Sequence, residues 1–275
     1  MGYELDSDGI FKATGLVVHR NDEYLENSFD LLLRMQSEHF WYRGRHRFLL
    51  AALRRNEPKQ RFSAIDLGGG CGGWIEYLER RIPERLSEIA LGDSSRVALM
   101  NARKTLRDVD VYQVDLMALE WRERWDVAFL LDVIEHCPDD AGILRQAAKA
   151  LKPEGKLFVT APALDLFWSY NDEFARHLRR YDKKRLRKLA HESGLVLKDV
   201  RYFMFFLSPL LWLSRKTRPR PQGEEALLKA VEQEHKVPGL VTNNLLSWVF
   251  CAESPIGHMV PFPWGTSILG VFEKE

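Results

Sequence analysis

Apolar positions along this 275-residue chain follow two alternating rhythms. Short, nearly continuous apolar runs lie at Ala64–Leu67, Ile89–Gly92, Val109–Val114, Trp125–Leu131 and Lys156–Thr160. Runs of this length suit strands buried on both faces of a parallel sheet. Between them, apolar residues recur every three to four positions over 73–81, 96–107 and 140–151, as helices require. Pro83 stops the first of these helices, and Lys152-Pro153-Glu154-Gly155 forms the turn after the third. A helix over 182–193 closed by Gly194, a strand over 195–202 and a last strand over 263–272 complete the series. The alternation predicts an α/β fold, a doubly wound sheet of seven mostly parallel strands.

The flanks read differently. Residues 1–21 are weakly patterned and predict a loose arm. A helical period starts near Asp22, with Leu25, Phe29, Leu32, Leu33 and Gln36 on one face. A second helix carries Phe48, Leu49, Ala52 and Leu53 and ends before Pro58. Residues 1–57 are therefore expected to form an arm and a helical lid, and 58–275 the core. Cap elements are expected at about 161–193 and 203–260. Within that last cap, 203–213 is strongly apolar, 214–223 is basic and proline-rich, and helices are expected over 224–234 and 243–253.

The loop after the first strand carries the chemistry. Gly68-x-Gly70-x-x-Gly73 fits the dinucleotide fingerprint, and Asp66-x-Gly68-x-Gly70-x-Gly72 fits a D-x-G-x-G-x-G loop equally well. Asp66 separates the readings. A carboxylate two residues before the first glycine would repel a pyrophosphate, whereas a sulfonium and an ammonium accept it. The second pattern resembles the first motif of class I S-adenosylmethionine (SAM)-dependent methyltransferases. Trp125-Asp126-x-Ala128, Glu135-His136-x-x-Asp139 and Leu151-Lys152-Pro153-x-Gly155-Lys156-Leu157 resemble that family's small-molecule branch, such as the ubiquinone-biosynthesis O-methyltransferases. His177-x-Arg179-Arg180-Tyr181 and the strand around Gly265-Thr266-Ser267 extend the likeness toward a methyltransferase subgroup and most of the chain.

The resemblance implies a Rossmann-like methyltransferase fold with SAM as methyl donor. It implies a base-reading role for Asp115 and Leu116 after the third strand. Asp66, Gly68, Gly70 and Gly72 would form the cofactor loop. Asp93, with Ser94, would take the ribose hydroxyls, since a carboxylate about twenty residues beyond such glycines does so in nucleoside-binding sheets. Asp132, ending the fourth strand, joins the cofactor set. Phe40-Trp41-Tyr42-Arg43 offers aromatic faces for a sulfonium and a guanidinium fork for a carboxylate. Tyr42 and Arg43 are the first choices, with Arg45 second.

Composition narrows the rest. Forty basic and 39 acidic residues leave a net charge of +1, so no acidic or nucleic-acid partner is indicated. The three cysteines lack metal or disulfide spacing, and no metal is called for. No signal peptide is visible at Met1-Gly2-Tyr3, and a cytoplasmic location is expected. The run at 203–213 is too short to span a bilayer and reads first as a helix packed under the substrate cap; the sharper reading is a mouth for an apolar or lipid-linked acceptor, or a dip into a membrane surface.

Methylation of a hydroxyl needs a proton acceptor, and histidine serves at neutral pH. His136, after the fourth strand, and His177, in the cap, are the candidate bases, with Asp172 or Glu135 to orient either. Trp168, Asp172, Arg180 and Tyr181 are expected on the acceptor side. The competing readings are an NAD-linked oxidoreductase and a non-catalytic SAM-binding protein.

Overall fold

The computed structural model describes residues 2–15, 17, 35–217, 223 and 236–275. The helical patterns expected over 22–34 and 224–234 lie outside the described residues.

One sheet organises the chain. Strands β3 (Phe62–Leu67), β4 (Leu86–Asp93), β5 (Asp110–Gln113), β6 (Trp125–Leu131), β7 (Leu151–Pro162), β8 (Val196–Phe203) and β9 (Ser267–Glu273) run in the spatial order β5-β4-β3-β6-β7-β9-β8. The first five are parallel, and β9 inserts antiparallel between β7 and β8. The order reverses between β3 and β6, and open sheets hold their ligands at that switch point. Every residue of β3 is buried, which is the fate of a central strand covered on both faces.

Among the described residues the sheet has nine strands rather than the expected seven. Residues 3–5 and 11–13 form an antiparallel hairpin, β1 (Tyr3–Leu5) and β2 (Phe11–Ala13), and β2 pairs parallel with β5. The expected loose arm is thus a sheet edge. Two three-residue strands are too short for a period of two to be read. Their anchors are tertiary: Tyr3 stacks on Trp121 at 4.7 Å and Phe11 on Tyr112 at 4.7 Å. Asp6 closes the turn by accepting from the backbone N–H groups of Asp8 and Ile10, and pairs with Arg96.

Helices α1 (Phe40–Asn56), α2 (Gly73–Arg81), α3 (Arg96–Thr105), α4 (Asp140–Ala150), α5 (Tyr170–Phe174), α6 (Lys183–Ser193), α7 (Ser208–Thr217) and α8 (Leu240–Met259) complete the described structure. Local signals set several ends. Asp182 caps α6 by accepting from Arg185 N at 2.7 Å, and Gly194 ends it at φ 70°. The pair α1–α8 is fixed from far apart in sequence. Asn243 of α8 accepts from Phe40 N at 2.9 Å and donates to Glu38 O at 2.9 Å, tying down the start of α1. The helices approach so closely that a Cβ on Gly44 would lie 2.1 Å from the Phe250 ring. None of the described helices is long and apolar enough to cross a membrane.

Candidate functional site

The loop from β3 to α2 takes up positive φ at Gly68 (76°), Gly70 (57°) and Gly72 (79°). Side chains would strain there, and at Gly68 and Gly72 they would also collide with neighbours. A Cβ on Gly68 would lie 2.8 Å from Val133 Cγ2, and one on Gly69 2.4 Å from Asp66 Oδ2. Gly70 differs: nothing lies within 4 Å of its virtual Cβ. It borders a cavity of about 130 Å³ lined by Gln36, Trp41, Tyr42, Arg45, Asp66, Gly68–Gly70, Trp74, Leu131 and Asp132.

Asp93 braces the loop. Its Oδ2 accepts from Gly70 N at 2.8 Å and its Oδ1 from Ser95 N at 2.8 Å. Ser95, rather than Ser94, caps α3, accepting from Ala98 N at 3.3 Å. Ser94 takes part through its backbone, its carbonyl accepting from Gln113 Nε2 at 3.1 Å. Leu116 flanks Gly68, 3.6 Å from its virtual Cβ, while Asp115 accepts from Met117 N at 2.8 Å in its own turn.

Two carboxylates and one guanidinium line the cavity. Asp66 is 1% exposed, and its Oδ1 has no hydrogen-bond partner. Burial pushes its carboxyl up to about 7. Arg45 opposes that shift, and Asp93 and Asp132 add to it. Asp132 is held at φ 59°, an uncommon conformation for a residue with a side chain, and accepts from Arg45 Nη1. Arg45 lies over the Trp41 ring at 4.7 Å and the Tyr42 ring at 5.0 Å, and its Nε has no partner.

This arrangement tests the cofactor readings. A pyrophosphate would meet Asp66 and Asp132 at the glycine loop, which disfavours the dinucleotide reading on charge. An unpartnered buried carboxylate oxygen suits a cation, and the unpartnered Nε of the guanidinium suits a carboxylate. A molecule carrying a sulfonium, an ammonium and a carboxylate fits both.

Arg43 is a correction. Its Nη1 donates to Asn244 Oδ1 at 3.1 Å on the protein surface, away from the cavity. On a helix, Arg45 shares a face with Trp41 and Tyr42, whereas Arg43 points about 200° away from Arg45. That spacing was legible in the sequence. Gln36 and Trp74 carried no such signal.

A second cluster follows β6. His136 and His177 meet edge to face, their ring centroids 4.9 Å apart. His177 Nδ1 lies 2.9 Å from Asp172 Oδ1, and Arg180 grips both Asp172 oxygens at 2.9 Å. Burial raises the Asp172 carboxyl, but the hydrogen bonds from His177 and Arg180 outweigh it and hold it well below the usual carboxylate range. Asp172 is therefore ionised and accepts from Nδ1 of His177, leaving Nε2 as the ring nitrogen not committed to it. Glu135 is buried, with its Oε2 unpartnered, and burial followed by Asp132 pushes its carboxyl well above the ordinary value. Arg45 and Arg180 both act on Glu135, which links the two clusters. One ligand atom each from Glu135, His136 and His177 lies within 4.8 Å of the others, a spacing that a divalent cation could bridge.

Three expected acceptor contacts are corrected. Arg180 is buried and spends its guanidinium on Asp172 and Ala163 O. Tyr181 is fully buried, its hydroxyl donating to Asp140 Oδ2 at 2.9 Å, with Ile134 O at 3.0 Å. Asp172 is buried too and faces His177. Within His177-x-Arg179-Arg180-Tyr181, Arg180 supports the histidine through Asp172, whereas Arg179 and Tyr181 bond to Asp140. Trp168 is 39% exposed and open to a partner.

A family model described as a methyltransferase domain matches residues 34–200. The ubiquinone biosynthesis O-methyltransferase of Idiomarina loihiensis is 35% identical over 96 residues, 32% of this chain and 38% of that protein. Its counterpart from Stutzerimonas stutzeri is 34% identical over 155 residues, 50% of this chain and 65% of that protein. The matched stretch thus spans less than two thirds of either relative's length. A Haemonchus contortus phosphoethanolamine N-methyltransferase 2, solved in complex with S-adenosyl-L-methionine, shares the fold with a TM-score of 0.59. It is 17% identical, and the match covers 96% of this chain and 61% of that one. With its glycine loop, its sheet order and this match over more than half its length, the chain belongs to the class I SAM-dependent methyltransferases.

Proposed function

We propose that this protein transfers the methyl group of SAM to a hydroxyl oxygen of a small molecule, with His177 as the base. The observation carrying the reading is the Asp172–His177 pair, clamped by Arg180. When bound, the cofactor supplies a methyl group already attached to a good leaving group, so the protein's tasks are orientation and proton removal. Asp66 would face the cofactor's ammonium, and Arg45 its carboxylate. Asp93 would take the ribose while holding Gly70. Nε2 of His177 would receive the hydroxyl proton as the oxygen–methyl bond forms, and ionised Asp172 would stabilise the resulting imidazolium. The exposed Trp168 is a wall for the acceptor.

The two curated relatives act in ubiquinone biosynthesis, which supports an oxygen acceptor, and the apolar residues at 203–213 suit an apolar one. The test is calorimetric titration with SAM and S-adenosylhomocysteine, followed by an acceptor screen comparing wild type with His177→Ala. SAM binding with turnover lost in His177→Ala supports the reading. Full turnover in that variant points to a nitrogen acceptor needing no base. SAM binding with no turnover on any acceptor favours a non-catalytic binding protein. Dialysis against a chelator tests the neighbouring trio: unchanged turnover leaves His177 Nε2 as the proton acceptor. A loss restored by a divalent cation assigns Glu135, His136 and His177 to metal.

A further inference from the structure

Helix α8 turns its polar side inward. Asn243, Ser247, Glu253, Ser254 and His258 are all buried on it. They are held there by specific bonds. Asn243 binds the start of α1, Glu253 Oε2 accepts from Phe206 N at 3.1 Å, and His258 Nε2 donates to Phe48 O at 2.9 Å. These contacts lock the rotation of the helix.

The opposite face is apolar. Val241, Leu245, Trp248, Ala252, Ile256 and Met259 follow one another at three- and four-residue steps, a single stripe about 27 Å long at helical rise. Val241 and Met259 are 82% exposed, Trp248 71% and Leu245 60%. A helix on a water-facing surface shows the reverse arrangement. Helix α7 adds exposed Leu210 and Leu213.

Among the described residues, the apolar stripe of α8 carries no acid. The single acid of α8, Glu253, is fully buried, and α7 contains no acid. Arg43 stands beside the stripe, bonded to Asn244 next to Leu245. Lys236, which is exposed, precedes α8. A two-fold pairing of copies through this stripe would add a second Arg43 and a second Lys236 to the same face. Anionic headgroups over an apolar interior match both features.

We propose that α8, with the exposed leucines of α7, docks this protein onto a bilayer bearing anionic lipids, α8 lying in the plane of the interface. The stripe carries a wedge of apolar side chains to the acyl boundary, and the flanking cations meet the headgroups. Helix α1, which lines the cavity, packs directly against α8, so the docked face is one helix removed from the cofactor. The inference does not depend on methyl transfer.

Co-sedimentation of the full chain with phosphatidylcholine vesicles, with and without phosphatidylglycerol, tests it. The protein should pellet with the anionic vesicles, less with neutral ones, and less as salt rises. Leu245→Glu/Trp248→Glu should lower the bound-to-free ratio at least about tenfold, because charge is placed in the acyl boundary. Its melting temperature and SAM affinity should match wild type, since both side chains are exposed, and Trp248→Phe should still bind. Wild type remaining in the supernatant with every vesicle overturns the proposal, as does a double variant that pellets like wild type. A concentration-dependent dimer in sedimentation velocity, abolished by the same double substitution, overturns it in favour of a second copy.

Discussion

The unpartnered oxygen of Asp66 should make cofactor binding a proton-linked event. Its carboxyl sits at about 7 in the folded protein against 3.8 ordinarily. A group held above its ordinary value contributes stability fully present below about pH 4, and that stability is lost as pH rises through about 7. Asp66→Asn should therefore remove this loss, raising the melting temperature of the cofactor-free protein relative to wild type at pH 8. The same change should weaken SAM binding roughly tenfold or more, since a neutral amide replaces the partner of a cation. A cationic ligand favours the ionised form, so binding just below pH 7 should release a proton. Calorimetry in buffers of different ionisation enthalpy measures that release; no proton exchange would place the ammonium elsewhere. At the second cluster, His177→Ala should lower turnover about 10²- to 10⁴-fold, the usual worth of a positioned base. SAM affinity should be unchanged. Asp172→Asn should lower turnover less and shift the pH–rate profile, while an activity change without a pH shift would make Asp172 a packing residue.

At the scale of elements, α1 depends on α8 for its position. Asn243→Ala removes two hydrogen bonds at the start of α1, one buried and one part-buried, and should cost roughly 1–3 kcal/mol. That corresponds to a fall in melting temperature of about 2–4 °C per kcal/mol in a chain of this size. Because Trp41, Tyr42 and Arg45 ride on α1, SAM affinity should fall as well; an unchanged affinity would mean that their face of α1 is held by other contacts. The glycine loop gives a contrast. Gly70→Ala meets no protein atom, so its stability cost is limited to the positive φ, about 1 kcal/mol. Its new methyl group faces the cavity, so affinity should fall further than stability.

Across the whole molecule, the sheet is completed by its own first residues. The hairpin β1–β2 covers the edge of β5, an edge that would otherwise offer free backbone groups to another chain. Tyr3→Ala removes the ring contacts with Trp121 and Tyr112 and should destabilise the protein by roughly 1–3 kcal/mol. Thermal unfolding of the variant checks this, and an unchanged melting temperature would show that the hairpin adds no stability.

The sequence alone determined the doubly wound core, the place of the glycine loop and the carboxylates around it. These follow from interactions close in the chain: apolar period, helix caps and the positive φ that Gly68, Gly70 and Gly72 permit. Tertiary structure decided which side chains face the cavity and which merely support it. Arg45 rather than Arg43 enters because Asn243 and the close approach at Gly44 set the rotation of α1 from about two hundred residues away. Arg180 and Tyr181 read as acceptor groups in the sequence, yet both are consumed by buried partners that no local spacing reveals. The edge hairpin stayed hidden for the same reason. Its strands are three residues long, and the aromatic partners that hold them lie more than a hundred residues further on.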